Sequence, residues 1–231
     1  MKDASGECII TLHNVTKVYK TGEVEQTALK NISLSISRGE IVAFAGPSGS
    51  GKTTLLNIIG AMDRPTTGEV FVDGIKLNDL NRKQAAHFRG EHLGFIFQSF
   101  NLLPVLTVFE NVEYPLVMIK NVPARKRKEA VLSLLAAVQM EGHKDKFPDQ
   151  LSGGQKQRVA VARALVTHPG VVLADEPTAN LDGKSARMVL SLMIKMRVEL
   201  GATFVFSTHD PRILEEVDRV YTLEDGQLKI Q

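Results

Sequence analysis

Four short, unbroken apolar runs recur along this chain: Ile41 to Ala45, Leu93 to Phe97, Val171 to Ala174 and Thr203 to Phe206, each bounded by glycine, proline or polar residues. A strand with one face in water alternates apolar and polar residues, so continuous apolarity means that both faces are covered. Helical patterns lie between several of the runs, and this alternation predicts an α/β chain built around a mainly parallel sheet. The N-terminal stretch reads differently. Strands expected at Ile9 to Asn14, Ile32 to Ile36 and Val70 to Val72 alternate more, and Thr21-Gly22 and Asp73-Gly74 interrupt them, which predicts an antiparallel β layer beside the main sheet. From about Phe100 to Gln150 the pattern turns helical, with Val131, Leu134, Leu135 and Val138 at helical spacing after Pro123. The 231 residues suit one large domain carrying such an inserted helical lobe, at about 150 residues per domain.

Bulk properties remove whole classes of function. Apolar residues make up 43% and charged residues 23%, enough for a buried core. Basic minus acidic residues is 28 − 26 = +2, too balanced for a surface built to bind nucleic acid. Cys8 is the sole cysteine, which excludes an intrachain disulfide and a multi-cysteine zinc site. The opening MKDASGEC has no apolar signal-peptide core, and no run of about 18 apolar residues occurs, so no direct membrane span is expected. Any membrane role would come through a partner. Arg125, Lys126, Arg127 and Lys128 open the expected lobe helix, where the macrodipole disfavours cations. That run reads as a solvated face, with an anionic membrane surface or an acidic partner as the alternative.

Gly46-Pro-Ser-Gly-Ser-Gly-Lys-Thr53 directly follows the first buried run and precedes the helix-like Thr54 to Ile59. This is the phosphate-loop pattern in its proper setting, where a flexible Gly/Ser turn is the plain alternative. Gly46, Gly49 and Gly51, with Ser48 and Ser50 between them, let backbone N–H groups turn inward around α- and β-phosphates. Lys52 can reach the β- and γ-phosphates, the Thr53 hydroxyl suits Mg²⁺, and Thr54 continues the phosphate-binding turn. Val171-Val-Leu-Ala-Asp175-Glu176 ends a buried strand in adjacent carboxylates, at the strand end where open α/β sheets bind ligands. Neighbouring strand residues point opposite ways, so Asp175 is expected to hold Mg²⁺ through water while Glu176 polarises the attacking water as general base. In isolation the pair also reads as a solvated strand end.

Leu151-Ser152-Gly153-Gly154-Gln155 precedes a helix with Val159, Ala162, Leu165 and Val166 on one face, and Ser152 with Gln155 spells a capping box. Each glycine costs about 1 kcal/mol against alanine inside a helix, a penalty better explained if exposed N–H groups must approach an anion. Two phosphate sites of different design imply a nucleotide sandwiched between two copies packed head to tail, hence a dimer. Gln98 and His209 each follow an apolar strand, and alone each reads as a surface polar residue. A parallel sheet would bring both to one edge with Gly46 and Asp175, where His209 could donate to the γ-phosphate and Gln98 could contact Mg²⁺ or the attacking water. Tyr19, in a VYK context, is a candidate to stack on adenine or else a packing aromatic. The other histidines show no metal-ligand spacing. From Phe100 to Phe109 large apolar residues crowd around Pro104, which predicts an apolar docking patch with Leu102 and Leu106 as contacts.

Taken together, Tyr19, GPSGSGKT, Gln98, LSGGQ, VVLADE, the NLD of Asn180 to Asp182, and His209 resemble the ATP-binding subunit of bacterial ABC transporters over nearly the whole chain. The resemblance implies a P-loop NTPase with a nucleotide-binding core over 1–98 and 151–231 and a helical subdomain over 99–150. It makes Tyr19 the adenine-stacking residue, Ser152 to Gln155 the signature, Asp182 part of a dimer-interface loop, and His209 the switch histidine, with ATP and Mg²⁺ bound. LGFIFQSFNLLPVLTVFENV and LADEPTANLD are similar to the branch of lipoprotein-releasing, macrolide-export and cell-division ATPases. Thr53 stands where serine is common and Ala179 where glycine is common, and neither removes a needed group. The expected assembly is a homodimer around two MgATP, bound to integral membrane permease subunits at the cytoplasmic face of the bacterial inner membrane. The rival is an ABC ATPase that relays force to cell-wall or division machinery with the same motifs. A DNA-repair ABC ATPase would need a long coiled-coil insertion for which there is no room, and a P-loop kinase or GTPase would not explain LSGGQ.

Overall fold

The computed structural model describes residues 7–22 and 24–229, so most of the segment read for a signal peptide lies outside the described residues. In chain order the elements are β1 (Cys8–Thr21), β2 (Val24–Ser37), β3 (Ile41–Ala45), α1 (Lys52–Ile59), β4 (Thr67–Val72), β5 (Ile75–Lys76), α2 (Arg82–His92), β6 (Leu93–Phe97), α3 (Val108–Met118), α4 (Ala124–Ala137), α5 (Gly153–Leu165), β7 (Val171–Asp175), α6 (Gly183–Leu200), β8 (Thr203–Ser207), α7 (Pro211–Leu214), β9 (Arg219–Glu224) and β10 (Gln227–Lys229). Strands β2-β1-β4-β5 form the expected antiparallel layer, and β10-β9-β3-β8-β7-β6 form the main sheet. All neighbours in the main sheet run parallel except β10 at the edge. Strands β1 and β2 run longer than their apolar pattern, because pairing continues through Tyr19–Gln26 and Lys20–Glu25 where the side chains of β2 are exposed.

Alternate residues of each central strand serve different cores. Ile41, Ala43, Ile96, Val172, Ala174, Phe204 and Phe206 face the helices α3 to α6. Val42, Phe44, Leu93, Val171, Leu173 and Val205 face α1 and the antiparallel layer. Two covered faces leave room for few polar residues, Thr203 and Ser207 at the ends of β8 being buried exceptions, which is why the runs are nearly continuous. Val108, Val112 and Leu116 of α3 and Val131, Leu134 and Leu135 of α4 join the same cluster as Val159 and Leu165 of α5, so this segment shares its core with the helical face of the sheet.

Two surface expectations change here. The basic run is not a uniform solvated face: Arg127 Nε donates to Glu113 Oε1 at 2.8 Å and its Nη1 to the Val122 carbonyl at 2.6 Å, tying α4 to α3. In the stretch expected to dock a partner, Val108 is buried and Leu102 and Phe109 pack against the core, whereas Leu103 and Val105 are 38% and 79% exposed. Leu102 is therefore a packing residue. The wholly buried Asn111 shapes the loop, accepting from the Leu103 N–H at 2.8 Å and donating to the carbonyls of Leu103, Leu106 and Thr107 at 3.0, 2.9 and 3.0 Å.

Candidate active site

Because β3, β8, β7 and β6 are parallel neighbours, their C-terminal ends lie side by side, with Phe44 paired to Ser207, Ser207 to Asp175 and Asp175 to Phe97. The loops that follow carry the glycine-rich motif, His209, Glu176 and Gln98. They meet at a cleft of ≈ 810 Å³ that Tyr19, Ser48, Gly49, Gly51, Lys52, Thr53 and Thr54 also line.

The loop is built for close backbone approach. A Cβ on Gly46, at φ 150, would fall 2.1 Å from the Leu223 carbonyl, and one on Gly51, at φ 104, would fall 2.6 Å from that of Ala28. Only glycine fits. Gly51 caps α1 without a side chain, and no acidic residue occupies the first turn, so the helix presents a bare positive end. The buried Lys52 ammonium donates to the carbonyls of Gly46 and Pro47 at 2.7 and 2.9 Å. A cation and an uncapped helix end at one loop suit a polyphosphate. Ser207, on the cleft lining, has a buried Oγ with no hydrogen-bond partner among the described residues. Thr53 Oγ1 lies 3.4 and 3.3 Å from the Asp175 carboxylate oxygens. A hydroxyl and a carboxylate side by side are hard oxygen donors of the kind Mg²⁺ takes, directly or through water.

Glu176 sits just past β7 at φ 46, a left-handed conformation that costs a non-glycine residue about 1–3 kcal/mol. Its N–H donates to the Ser207 carbonyl at 2.8 Å, and the turn aims its carboxylate at His209, whose Nδ1 lies 2.8 Å from Oε1. Asp210 ties the His209 turn to the segment after Glu176: it accepts from Thr178 Oγ1 at 2.7 Å and from Arg212 Nη2 at 2.6 Å. The Arg212 guanidinium, ahead of the Thr178 hydroxyl, holds the Asp210 carboxyl at about 2. Tyr19 donates its phenol to Asp63 Oδ2 at 2.8 Å, and Lys17 Nζ, itself 2.7 Å from Asp63 Oδ1, lies 4.7 Å from the ring centroid. Burial and then the Asp63 carboxylate push the phenol pKa up.

The remaining candidates stand apart from the cleft. Ser152 caps α5, with the Gln155 N–H donating to its Oγ at 3.3 Å and its own N–H to Gln155 Oε1 at 2.9 Å. Asp182 caps α6 by accepting from the N–H groups of Lys184 and Ser185, each at 3.0 Å, and bonds from Ser185 foremost hold its carboxyl below the usual range. The glycine pair has a packing reason beside the expected anion approach: a Cβ at Gly154 would fall 2.8 Å from Ser185 Oγ and 2.9 Å from its Cβ, so the first turns of α5 and α6 meet only over glycine. Gly153 has ordinary contacts. Gln26, Thr27, Ala28 and Lys30 of β2 and the Asp225-Gly226 turn line the cleft unforeseen. Nothing in their polar sequence marks them. They arrive because β9 pairs with β3, and Gly226 bonds to Lys30 and Ser50 across the junction of the two sheets.

A glycine loop between a buried parallel strand and a bare helix end, with a carboxylate pair at the end of β7, which β8 separates from β3, defines the class of P-loop nucleotide hydrolases. A family model described as ABC transporter matches residues 29–179, and the chain belongs to that family, as an ABC-type ATPase subunit of a transporter. It is 46% identical over 227 residues to the uncharacterized ABC transporter ATP-binding protein MJ0796 of Methanocaldococcus jannaschii, covering 96% of this chain and 95% of that one. It is 39% identical over 224 residues to the lipoprotein-releasing system ATP-binding protein LolD of Francisella tularensis, covering 97% of each. It is 43% identical over 221 residues to the macrolide export ATP-binding/permease protein MacB of Rhodopirellula baltica, covering 94% of this chain and 32% of MacB. A dimeric structure of MJ0796 in a post-hydrolysis state bound to ADP and Pi matches with a TM-score of 0.88 at 45% identity, covering 95% of this chain and 96% of that one. No helix among the described residues is long and apolar enough to cross a membrane.

Proposed function

We propose that this cleft hydrolyses MgATP within a homodimer whose partner copy completes each site through its signature segment, and that the cycle drives integral membrane permease subunits at the cytoplasmic face of the inner membrane. The observation that carries the chemistry is the Glu176 carboxylate, held in a left-handed turn 2.8 Å from His209 and opening on the same cleft as Lys52 and Thr53. In this reading Lys52 and the α1 N–H groups hold the phosphates, and Tyr19 offers adenine the ring face opposite Lys17. Thr53 and Asp175 would hold Mg²⁺, with Gln98 as a further contact, and the ion supplies charge neutralisation on the phosphates. Glu176 takes a proton from the attacking water as its oxygen bonds to the γ-phosphorus, and the bond to the ADP oxygen breaks. His209 donates to the γ-phosphoryl group. In the signature the Ser152 cap engages the Gln155 N–H, which leaves those of Gly153 and Gly154 for the nucleotide of the partner copy, and Asp182 lies in the loop facing that copy. Residues 99–150 form the subdomain that meets the permease, with Leu103 and Val105 as its exposed apolar contacts beyond Gln98. The name of MacB, which joins ATP binding and permease in one protein, supports the coupling.

Glu176→Gln tests the chemistry, because it keeps shape and removes basicity. MgATP binding should persist, turnover should fall by about 10²–10⁴-fold, and an ATP-bound dimer should accumulate in size-exclusion chromatography. Turnover near that of the wild type would remove Glu176 from its role.

A further inference from the structure

Gln98 leaves β6 on a loop whose shape is not self-supporting. Phe100 and Asn101 both lie in the left-handed region, at φ 63 and 48, a conformation uncommon for one non-glycine residue and rarer for two in succession. Local bonds close the turn, from Phe100 N–H to the Phe97 carbonyl at 3.0 Å and from Asn101 N–H to that of Ser99 at 2.7 Å, without anchoring it to the rest of the molecule. The anchor comes from α5. Arg163 Nη2 donates to the Phe100 carbonyl at 2.8 Å, and Nη1 donates to that of Asn101. Burial pushes the Arg163 pKa down, and no carboxylate contributes. A half-buried guanidinium thus spends its charge on the two carbonyls of the strained turn, a match its planar fork allows and a lysine does not. On the other side of Gln98, the Asn180 amide donates to the Gln98 carbonyl at 2.9 Å.

We propose that Arg163 is a positioning residue for ATP hydrolysis: from the helix that begins at the signature segment, it clamps the Phe100-Asn101 turn and so sets where Gln98 stands at the cleft. This rests on the reading of Gln98 as a site residue. The alternative role is packing alone, since Arg163 also lines a groove of ≈ 420 Å³ with Phe97, Asn101 and Ile119. The two roles separate at Asn101, because glycine adopts the left-handed conformation without strain and a glycine turn needs less of a clamp.

The test is a double-mutant cycle on the full chain, comparing wild type, Arg163→Met, Asn101→Gly and the double variant for kcat, KM for ATP, and amide hydrogen exchange over residues 98–102. Arg163→Met should lower kcat by about 10- to 100-fold with KM within about twofold, since a displaced positioning group costs rate at unchanged binding. In the Asn101→Gly background the same change should cost no more than about threefold, with exchange protection largely kept. Equal losses in both backgrounds, an unchanged kcat, or a KM rising in step would overturn the proposal. Arg163→Lys, which keeps the charge and loses the fork, carries the same cycle if Arg163→Met does not fold. Gln98→Ala with wild-type turnover would instead overturn the reading of Gln98, and with it the catalytic consequence, while the exchange data would still report whether Arg163 holds the turn.

Discussion

At Gly154 a single methyl group decides whether two helices can meet. The Cβ of alanine would fall within 2.9 Å of both Ser185 Oγ and Ser185 Cβ, a clash that neither rigid first turn can absorb by rotating a long side chain. Gly154→Ala should therefore cost about 1–3 kcal/mol in denaturant unfolding. Ser185→Gly on top of it should recover part of that loss, less about 1 kcal/mol for placing glycine in α6. A variant as stable as the wild type would show that the space is softer than the contact distances imply. Glu176 is the opposite kind of residue, since in the proposed mechanism its side chain matters for chemistry while its backbone carries strain to present it. A carboxylate after a buried strand was legible in the sequence. The left-handed turn that aims it at His209 was not, because glutamate carries no local preference for it.

The stretch from Phe100 to Phe109 shows how an element that is neither helix nor strand gets its shape. Proline and alternating large apolar residues mark it as irregular, but which side chains point inward depends on Asn111, whose amide satisfies the backbone groups of Leu103, Leu106 and Thr107 from the first turns of α3. Leu102 consequently faces the core and Leu103 faces out. Leu102→Glu should lower stability by more than about 2 kcal/mol, the cost of burying a carboxylate without a partner. Leu103→Glu should melt like the wild type, keep its soluble ATPase activity, and lose association with membranes in a flotation assay. A Leu103→Glu protein that stays membrane-bound would place the docking surface elsewhere.

In the proposed head-to-tail sandwich each copy holds half of two sites. Its phosphate loop, Glu176 and His209 share one cleft, while Ser152 to Gln155 do not line it. A second copy, as in the dimeric structure of MJ0796, is what a head-to-tail sandwich needs. Ser152→Arg should leave nucleotide titration of the monomer unchanged, abolish ATP-dependent dimerisation in light scattering, and reduce turnover to background, whereas normal turnover would refute the sandwich. The sequence by itself determined the buried strands, β3 and β6 to the residue, the helix after the phosphate loop, the capping box and the antiparallel layer. These are local matters, in which a side chain's size, polarity and hydrogen-bonding reach act on its own few neighbours. Tertiary structure alone decided that β2 and the Asp225-Gly226 turn would wall the cleft, that Gly154 would face Ser185, and that Arg163 would reach the carbonyls of Phe100 and Asn101. Each of those contacts joins residues far apart in the chain through the strand order of the sheet and the crossing of its helices, and no stretch of local sequence encodes which distant partner will arrive.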